Sequence, residues 1–249
     1  MKILITGSSG FIGFHLSKLL LEKGNNVHGI DSMNNYYDVS LKKARLKILL
    51  KHKKFSFSKA NLENNKKIEK IFRKFKPKIV IHLAAQAGVR YSIDKPRVYL
   101  KSNIDGTFNV IESSYKIKVN HLIMASSSSV YGANKKIPFK EIDKTETQLS
   151  IYASTKKANE SMAHSYSNIW NIPITMLRFF TVYGPWGRPD MALFKFTKGI
   201  IENKKIDIYN NGKMYRDFTY IDDIVNGINL LIRKPPSLKN KKVRKSDAT

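Results

Sequence analysis

Cysteine is absent from this 249-residue sequence. Its absence excludes disulfide staples and thiolate metal cages and fits a reducing compartment; no metal site is expected. Long apolar runs are missing too. The opening MKILITGSSGFIG breaks at Thr6 and Gly7, too soon for the core of a secretory signal or for a membrane span. The expectation is a soluble, cytoplasmic protein with no membrane partner. Acidic residues are scarce, 19 against 45 Lys and Arg, which leaves a formal net charge of +26. Such a surplus attracts polyanions at low salt. Here it is mostly lysine scattered along the chain, and the clusters Lys51–Lys54 and Asn240–Lys245 have no interleaved aromatic residues on which bases could stack. The charge reads as a solvated basic surface, with no specific nucleic-acid partner.

Against these absences stands a regular rhythm. A chain of this length buries roughly 70 to 75% of its unfolded surface, enough for a core without staples. Apolar stretches of strand length at 2–6, 26–30, 55–58, 78–84, 121–126 and 173–179 alternate with helix-length periodic segments at 11–23, 40–52, 64–75, 95–117 and 151–169. Strict alternation predicts an α/β fold in which a doubly wound, Rossmann-type parallel sheet is covered on both faces. After Phe179 the rhythm changes to the Gly- and Pro-rich TVYGPWGRPD, then a helix over 190–202, a short strand KIDIY at 205–209, a turn at Asn210–Gly212, and YRDFTYI leading into a helix that ends near Arg233. The reading is a Rossmann domain over 1–178, a smaller substrate lobe over 179–234, and a disordered tail over 235–249.

Gly7, Gly10 and Gly13 follow the first strand at once and open the first helix, the context a phosphate-binding loop requires. Gly7 permits the tight turn, Gly10 lets the backbone approach a pyrophosphate, and Gly13 lets helix and sheet pack closely. The helix N-terminus, at Phe11 and Ile12, supplies unpaired amides and a positive dipole to the phosphates. The second strand ends at Asp31, whose carboxylate can accept hydrogen bonds from the adenosine ribose and would repel a 2′-phosphate; NAD is therefore favoured over NADP.

A second constellation lies later in the chain. Ser150 is a good N-cap, and the helix it opens carries Tyr152 and Lys156 four residues apart on one face. A tyrosine hydroxyl has a reference pKa of about 10, and a base working near neutrality needs it lowered by about three units, roughly 4 kcal/mol. A neighbouring ammonium and a positively charged nicotinamide can supply that shift. The serine run at 126–129 ends the preceding strand at the carboxyl edge of the sheet, where open α/β sheets place their ligands. One hydroxyl there can bond the reacting oxygen; the others can form a turn.

Six phrases in order, TGSSGFIG at 6–13, HLAAQAGVR at 82–90, NIDGTFN at 103–109, SSSSVYG at 126–132, YASTK at 152–156 and RDFTYIDD at 216–223, resemble the extended short-chain dehydrogenase/reductase (NAD-dependent epimerase/dehydratase) family and its nucleotide-sugar epimerases in particular. NNYYDVSLKKARL at 34–46 and RFFTVYGPWGRPDMALFKFTKGI at 178–200 are similar to the UDP-glucuronate 4-epimerases within it. The resemblance implies that Tyr152 is the base, that Lys156 holds the nicotinamide ribose and lowers the tyrosine pKa, and that Ser127 is the hydroxyl partner. It implies further cofactor contacts at Asn61, Leu62, Ala84, Ala85, Gln86 and Asn103. Arg90, Ser127, Thr181, Arg188 and Arg216 are implied to hold a UDP-sugar, with Arg216 on the diphosphate and Arg188 on the sugar carboxylate. The implied activity is inversion of carbon 4 through a transient 4-keto sugar, with tightly held NAD regenerated in each turnover. Ser128 and Ser129 stand where sugar 4,6-dehydratases carry an Asp-Glu pair, which disfavours that reaction, and Asn61 replaces an acidic residue expected near the adenine. Helices near 95–117 and 151–169 are implied to pair across a homodimer. Members of the family continue beyond the point where this chain ends, so an incomplete substrate lobe is expected. A UDP-glucose/UDP-galactose-type 4-epimerase and a non-catalytic NAD-binding module stay open as alternatives.

Overall fold

In the computed structural model, residues 1–213 and 215–237 are described. Six strands, β1 (Lys2–Thr6), β2 (Asn26–Asp31), β3 (Phe55–Lys59), β4 (Ile79–His82), β5 (His121–Ala125) and β6 (Ile174–Leu177), form one sheet in the order β3-β2-β1-β4-β5-β6. Every pairing is parallel. Parallel strands need crossovers, here supplied by α1 (Phe11–Glu22), α2 (Val39–Leu49), α3 (Asn65–Phe75), a composite helical segment, and α7 (Ile151–Trp170). The strands read as apolar runs because both faces are covered. Along β1, Ile3 and Ile5 join a core with Phe14, Leu16 and Leu20 of α1, while Leu4 joins one with Phe72 of α3 and Val110 of the composite segment on the other face. The strand order reverses beside β1, which opens a crevice between the ends of β1 and β4.

Where a single helix was expected at 95–117, the chain forms α4 (Tyr91–Asp94), α5 (Pro96–Tyr99), a π-helical turn (Leu100–Asp105) and α6 (Gly106–Lys116). The π turn surrounds Asn103, fully buried, whose amide donates to the Gln86 carbonyl and the Thr155 hydroxyl at 3.1 Å each and whose oxygen accepts from the Gln86 amide at 2.7 Å. Three buried hydrogen bonds hold a turn that helical periodicity does not announce.

Beyond the sheet come β7 (Thr181–Tyr183), α8 (Ala192–Ile201), a 3-10 turn (Tyr209–Gly212), β8 (Phe218–Tyr220) and α9 (Ile221–Leu231). β7 and β8 pair in parallel as a two-stranded sheet. The strand expected at 205–209 does not form: 205–208 are irregular and the 3-10 turn begins at 209. No strand lies alongside to satisfy its backbone groups among the described residues. α8 buries only Gly199, whereas Ile221, Val225 and Ile228 of α9 and Ile232 just after it share the core of Ile3 and Phe14. α9 therefore packs on one face of the main sheet, on the same core as β1 and α1. Residues 235–237 are exposed, and the rest of the expected tail, 238–249, lies outside the described residues. No described helix is long and apolar enough to cross a membrane.

Candidate active site

A cleft of about 850 Å³ runs across the carboxyl ends of the strands. At one end lies the glycine loop. Gly7 has φ of +74°, a conformation an L side chain rarely adopts, and its amide donates to the Ile30 carbonyl at 2.7 Å. A Cβ on Gly13 would sit 2.0 Å from the Gly7 carbonyl oxygen, so only glycine lets α1 begin this close to β1. Gly10 is the N-cap of α1 and no side chain caps the helix. Its first turn, at Phe11, Ile12 and Gly13, therefore opens on the cleft with its amide dipoles unblocked. This backbone cradle, which any larger residue would fill, fits the pyrophosphate of a dinucleotide.

Asp31 ends β2 against the same cleft, buried. Its carboxylate accepts from the Ser9 amide at 3.1 Å and the Met33 amide at 2.9 Å, one bond to each oxygen, and each oxygen retains a lone pair for a ribose hydroxyl. Asn61 and Leu62 line the wall beyond it, beside Glu63. Ala84, Ala85 and Gln86, after β4, form the floor. Asn103 does not line the cleft; it braces Gln86 from behind.

Tyr152 and Lys156 stand at the other end, on the first turns of α7. Ser150 caps that helix by accepting from the Ala153 amide at 3.1 Å. Lys156 is 3% exposed and its Nζ donates to the Ala125 carbonyl at 2.8 Å. Burial brings its ammonium down to about 8. Burial raises the Tyr152 hydroxyl above its ordinary range, while a hydrogen bond with Ser127 and the charge of Arg188 pull it back. Arg188 is a cation that favours the tyrosinate here, while the Lys156 ammonium donates to Ala125 beside it. Ser127 is buried and caps the 3-10 turn Ser128–Tyr131 by accepting from the Ser129 amide at 3.1 Å. A second buried group steadies the serine run, since Ser126 donates at 2.6 Å to Glu160, which is bridged in two-pronged fashion by Arg178 at 2.9 Å.

The Lys156 burial has a stability consequence. Below pH 8 the folded chain carries the full penalty of a buried ammonium, roughly 3 kcal/mol, and the penalty is relieved as pH rises from 8 towards 10.5, where the unfolded chain still holds the extra proton. Lys156→Met is expected to stabilise the fold by about 1 to 3 kcal/mol at pH 7, less the lost bond to Ala125. Urea unfolding of both proteins at pH 7 and pH 10 checks it: the advantage must shrink at the higher pH.

Across from Tyr152, Thr181 of β7 and Arg188 line the cleft, and exposed Arg90 lies on its rim. Arg188 grips Asp190 with two nitrogens, Nε at 3.0 Å and Nη2. Tyr36 donates to the same carboxylate at 3.2 Å. Burial pushes the Asp190 carboxyl up, but Arg188 more than offsets it and holds the group below its ordinary value. Arg216 is not brought to the cleft. It is exposed two residues before β8 and donates to the Tyr215 carbonyl at 3.1 Å.

The model of the NAD dependent epimerase/dehydratase family matches residues 3–244. The chain belongs to this family. Among its relatives, Protein CapI of Staphylococcus aureus is 58% identical over 237 residues, 95% of this chain and 71% of that protein. A probable UDP-glucuronate 4-epimerase of Rhizobium meliloti is 50% identical over 97% of this chain and 71% of its own length. The crystal structure of the UDP-glucuronic acid 4-epimerase from Bacillus cereus, in complex with UDP-glucuronic acid and NAD, superposes with a TM-score of 0.88 at 37% identity, covering 94% of this chain and 73% of that one.

Within this epimerase/dehydratase site some residues escaped sequence reasoning. Tyr36, Tyr37, Lys42, Asp190 and Lys195 all line the cleft. Lys42 is 5% exposed and donates to Asn34 through both the backbone carbonyl, at 2.8 Å, and the side-chain oxygen, at 2.6 Å. The stretches 34–46 and 178–200 held the signal, since both carry charged residues among apolar ones. What was missing was their meeting, which only the fold supplies.

Proposed function

We propose that the chain is an NAD-dependent epimerase that inverts carbon 4 of UDP-glucuronate to give UDP-galacturonate. The observation that carries this is a single cleft with a dinucleotide cradle at one end and, at the other, a half-buried tyrosine facing both a serine hydroxyl and an arginine. Residues 179–234 supply the sugar-nucleotide side of the cleft, with Thr181 and Arg188. NAD, held by the glycine loop and Asp31, would supply the hydride acceptor and donor for carbon 4, and a turn of the sugar about its diphosphate link between the two transfers would present the opposite face. Tyr152 takes the proton of the sugar 4-hydroxyl as that ketone forms and gives it back when the alcohol is restored. Ser127, bonded to Tyr152, holds the reacting oxygen in line. Lys156, with N–H groups beyond the one on Ala125, fixes the nicotinamide ribose.

Glucuronate brings a hazard, because a ketone at carbon 4 beside the carboxylate of carbon 5 is a β-keto acid that loses carbon dioxide. Holding the carboxylate near the carbonyl plane suppresses that loss, and a guanidinium binds carboxylate with the planar two-pronged geometry required. The Nε–Nη2 edge of Arg188 is on Asp190, which leaves its Nη1–Nη2 edge to take the sugar carboxylate. Arg188→Ala is expected to lower epimerisation about tenfold to a hundredfold and to release decarboxylated UDP-pentose. The activity limb that reports Tyr152 moves to higher pH in this variant, since a cation favouring the tyrosinate is gone. Chromatography of the products across pH checks both; unchanged turnover with no pentose sinks the role.

The test of the whole reading is to incubate the purified protein with UDP-glucuronate, and separately with UDP-glucose, without added reductant and to assay the 4-epimers. Turnover of UDP-glucose alone would assign the other sugar. Bound NAD without turnover of either would leave a binding module. The exposed aromatic row on α6 and α7, Phe108, Tyr115 and Trp170 with Tyr166 among them, supports a homodimer through these helices, which the particle mass in solution tests. The cysteine-free composition supports a cytoplasmic site of action, which fractionation of cells tests.

A further inference from the structure

The geometry points to Arg45 as a positioning residue that ties the loop carrying Arg188 to the phosphate loop. Arg45 lies on α2, is completely buried, and does not line the cleft. Its Nη1 donates to the Ser9 carbonyl at 3.1 Å and the Tyr37 hydroxyl at 2.9 Å. Its Nη2 donates to the carbonyls of Trp186 and Gly187, the latter at 3.2 Å. One planar group thus joins Ser9, between the first two glycines of the cradle, to the two residues just before Arg188.

A guanidinium in this place is not there for stability. Burying a charge costs several kcal/mol per ion, and the Nε has no partner. An apolar side chain of similar volume would serve a core better. What the guanidinium provides is a fixed fork with acceptors on two separate loops. The loop it holds needs fixing, since Gly184 and Trp186 both have positive φ, +145° and +59°, and for a non-glycine such as Trp186 that is a strained conformation. The Trp186 ring rests on Phe14, centroids 5.7 Å apart, and His15 bonds the Pro185 carbonyl at 2.9 Å. Those two contacts hold the front of the loop against α1; Arg45 holds the end that abuts Arg188. Its work is to set the distance between the cofactor and the arginine that orients the sugar carboxylate, and in this it rests on the role proposed for Arg188.

Arg45→Lys tests this. A lysine keeps the charge but presents its donors from one nitrogen, which cannot span both loops. The variant is expected to fold and to retain NAD, to show a KM for UDP-glucuronate within about twofold of the parent, and to lose about tenfold in kcat, the scale of a small misplacement of a positioned group. The share of decarboxylated product should rise severalfold, as in Arg188→Ala. A purely structural role would lower the amount of active protein and leave the product ratio alone. A parent-like product ratio in folded, NAD-bound Arg45→Lys overturns the proposal. Should that variant fail to fold, Tyr37→Phe, which removes one of the four acceptors, is expected to shift the ratio in the same direction by about twofold to threefold, and an unmoved ratio there overturns it equally. If Arg188→Ala leaves the ratio unchanged while Arg45→Lys moves it, the role of Arg188 fails instead, and Arg45 does not act through it.

Discussion

Replacing Tyr152 by phenylalanine is expected to leave the fold and the bound dinucleotide intact and to lower kcat roughly a hundredfold to ten-thousandfold, the range of a lost general base. The substitution removes one oxygen and little else. The ring keeps its edge contact with Tyr99, centroids 6.2 Å apart, and the α7 cap from Ser150 to the Ala153 amide is untouched. Ser127 keeps its bond from the Ser129 amide, so the oxyanion side of the site stays formed. In the parent, burial holds the phenol above its ordinary range, so activity should climb with pH as the tyrosinate fraction grows. The phenylalanine variant should lose the part of that climb that continues above the titration of Lys156, whose ammonium burial brings down to about 8. Rates measured from pH 6 to 10 with UDP-glucuronate decide the matter. A variant within tenfold of the parent, or one with the same pH limb, rules out Tyr152 as the base.

The second large effect is structural. Gly13→Val should strip the protein of NAD and destabilise it by about 1 to 3 kcal/mol, a typical toll of forcing extra atoms into a packed site. The first added carbon would lie 2.0 Å from the Gly7 oxygen, 2.8 Å from its carbonyl carbon and 3.0 Å from the Ser8 Cα. All three are backbone atoms, so no side chain can swing away. Relief comes only if the Gly7 turn shifts, and Gly7 is itself pinned by its amide on the Ile30 carbonyl. The helix start and the cradle therefore move together. NAD released on denaturation, compared per mole of protein with the parent, reads the first effect, and a urea titration reads the second. A variant that purifies with a full complement of NAD would show that the loop tolerates the carbon and that the cradle is placed otherwise.

The Rossmann frame was legible because of burial. Strands covered on both faces need continuous apolar residues, so Lys2–Thr6 and His121–Ala125 announced themselves. β7 and β8, three residues each, are too short for any pattern to build up, and 205–208 looked like a strand only because alternation cannot report the lack of a neighbour. In the site, the glycines, Asp31, Tyr152, Lys156, Ser127 and Arg188 were found from their local spacing or their motifs, and the cleft gathers them. Arg45 and Lys42 were not found, because a charge on a helix is ordinarily read as facing water, whereas both are buried against loops that sequence separation hides. Arg216 was placed by its motif, and in the structure it is exposed and bonded to the Tyr215 carbonyl. The electrostatics of Tyr152 were the least legible: burial, Ser127 and Arg188 act on its hydroxyl from segments far apart in the sequence.

The π turn at Leu100–Asp105 bears on how such a site diverges. A single additional residue accommodated inside a helix rotates all that follows by about a quarter of a turn or more. On one side of that rotation Tyr99 faces the loop after β4; on the other, Val110 and Ile111 enter the core. Gain or loss of one codon there would exchange the group that props the Gln86 loop while the outward row of α6 is re-aimed at the same time. Site and surface of this segment are thereby inherited as a unit, and drift in one is constrained by the other.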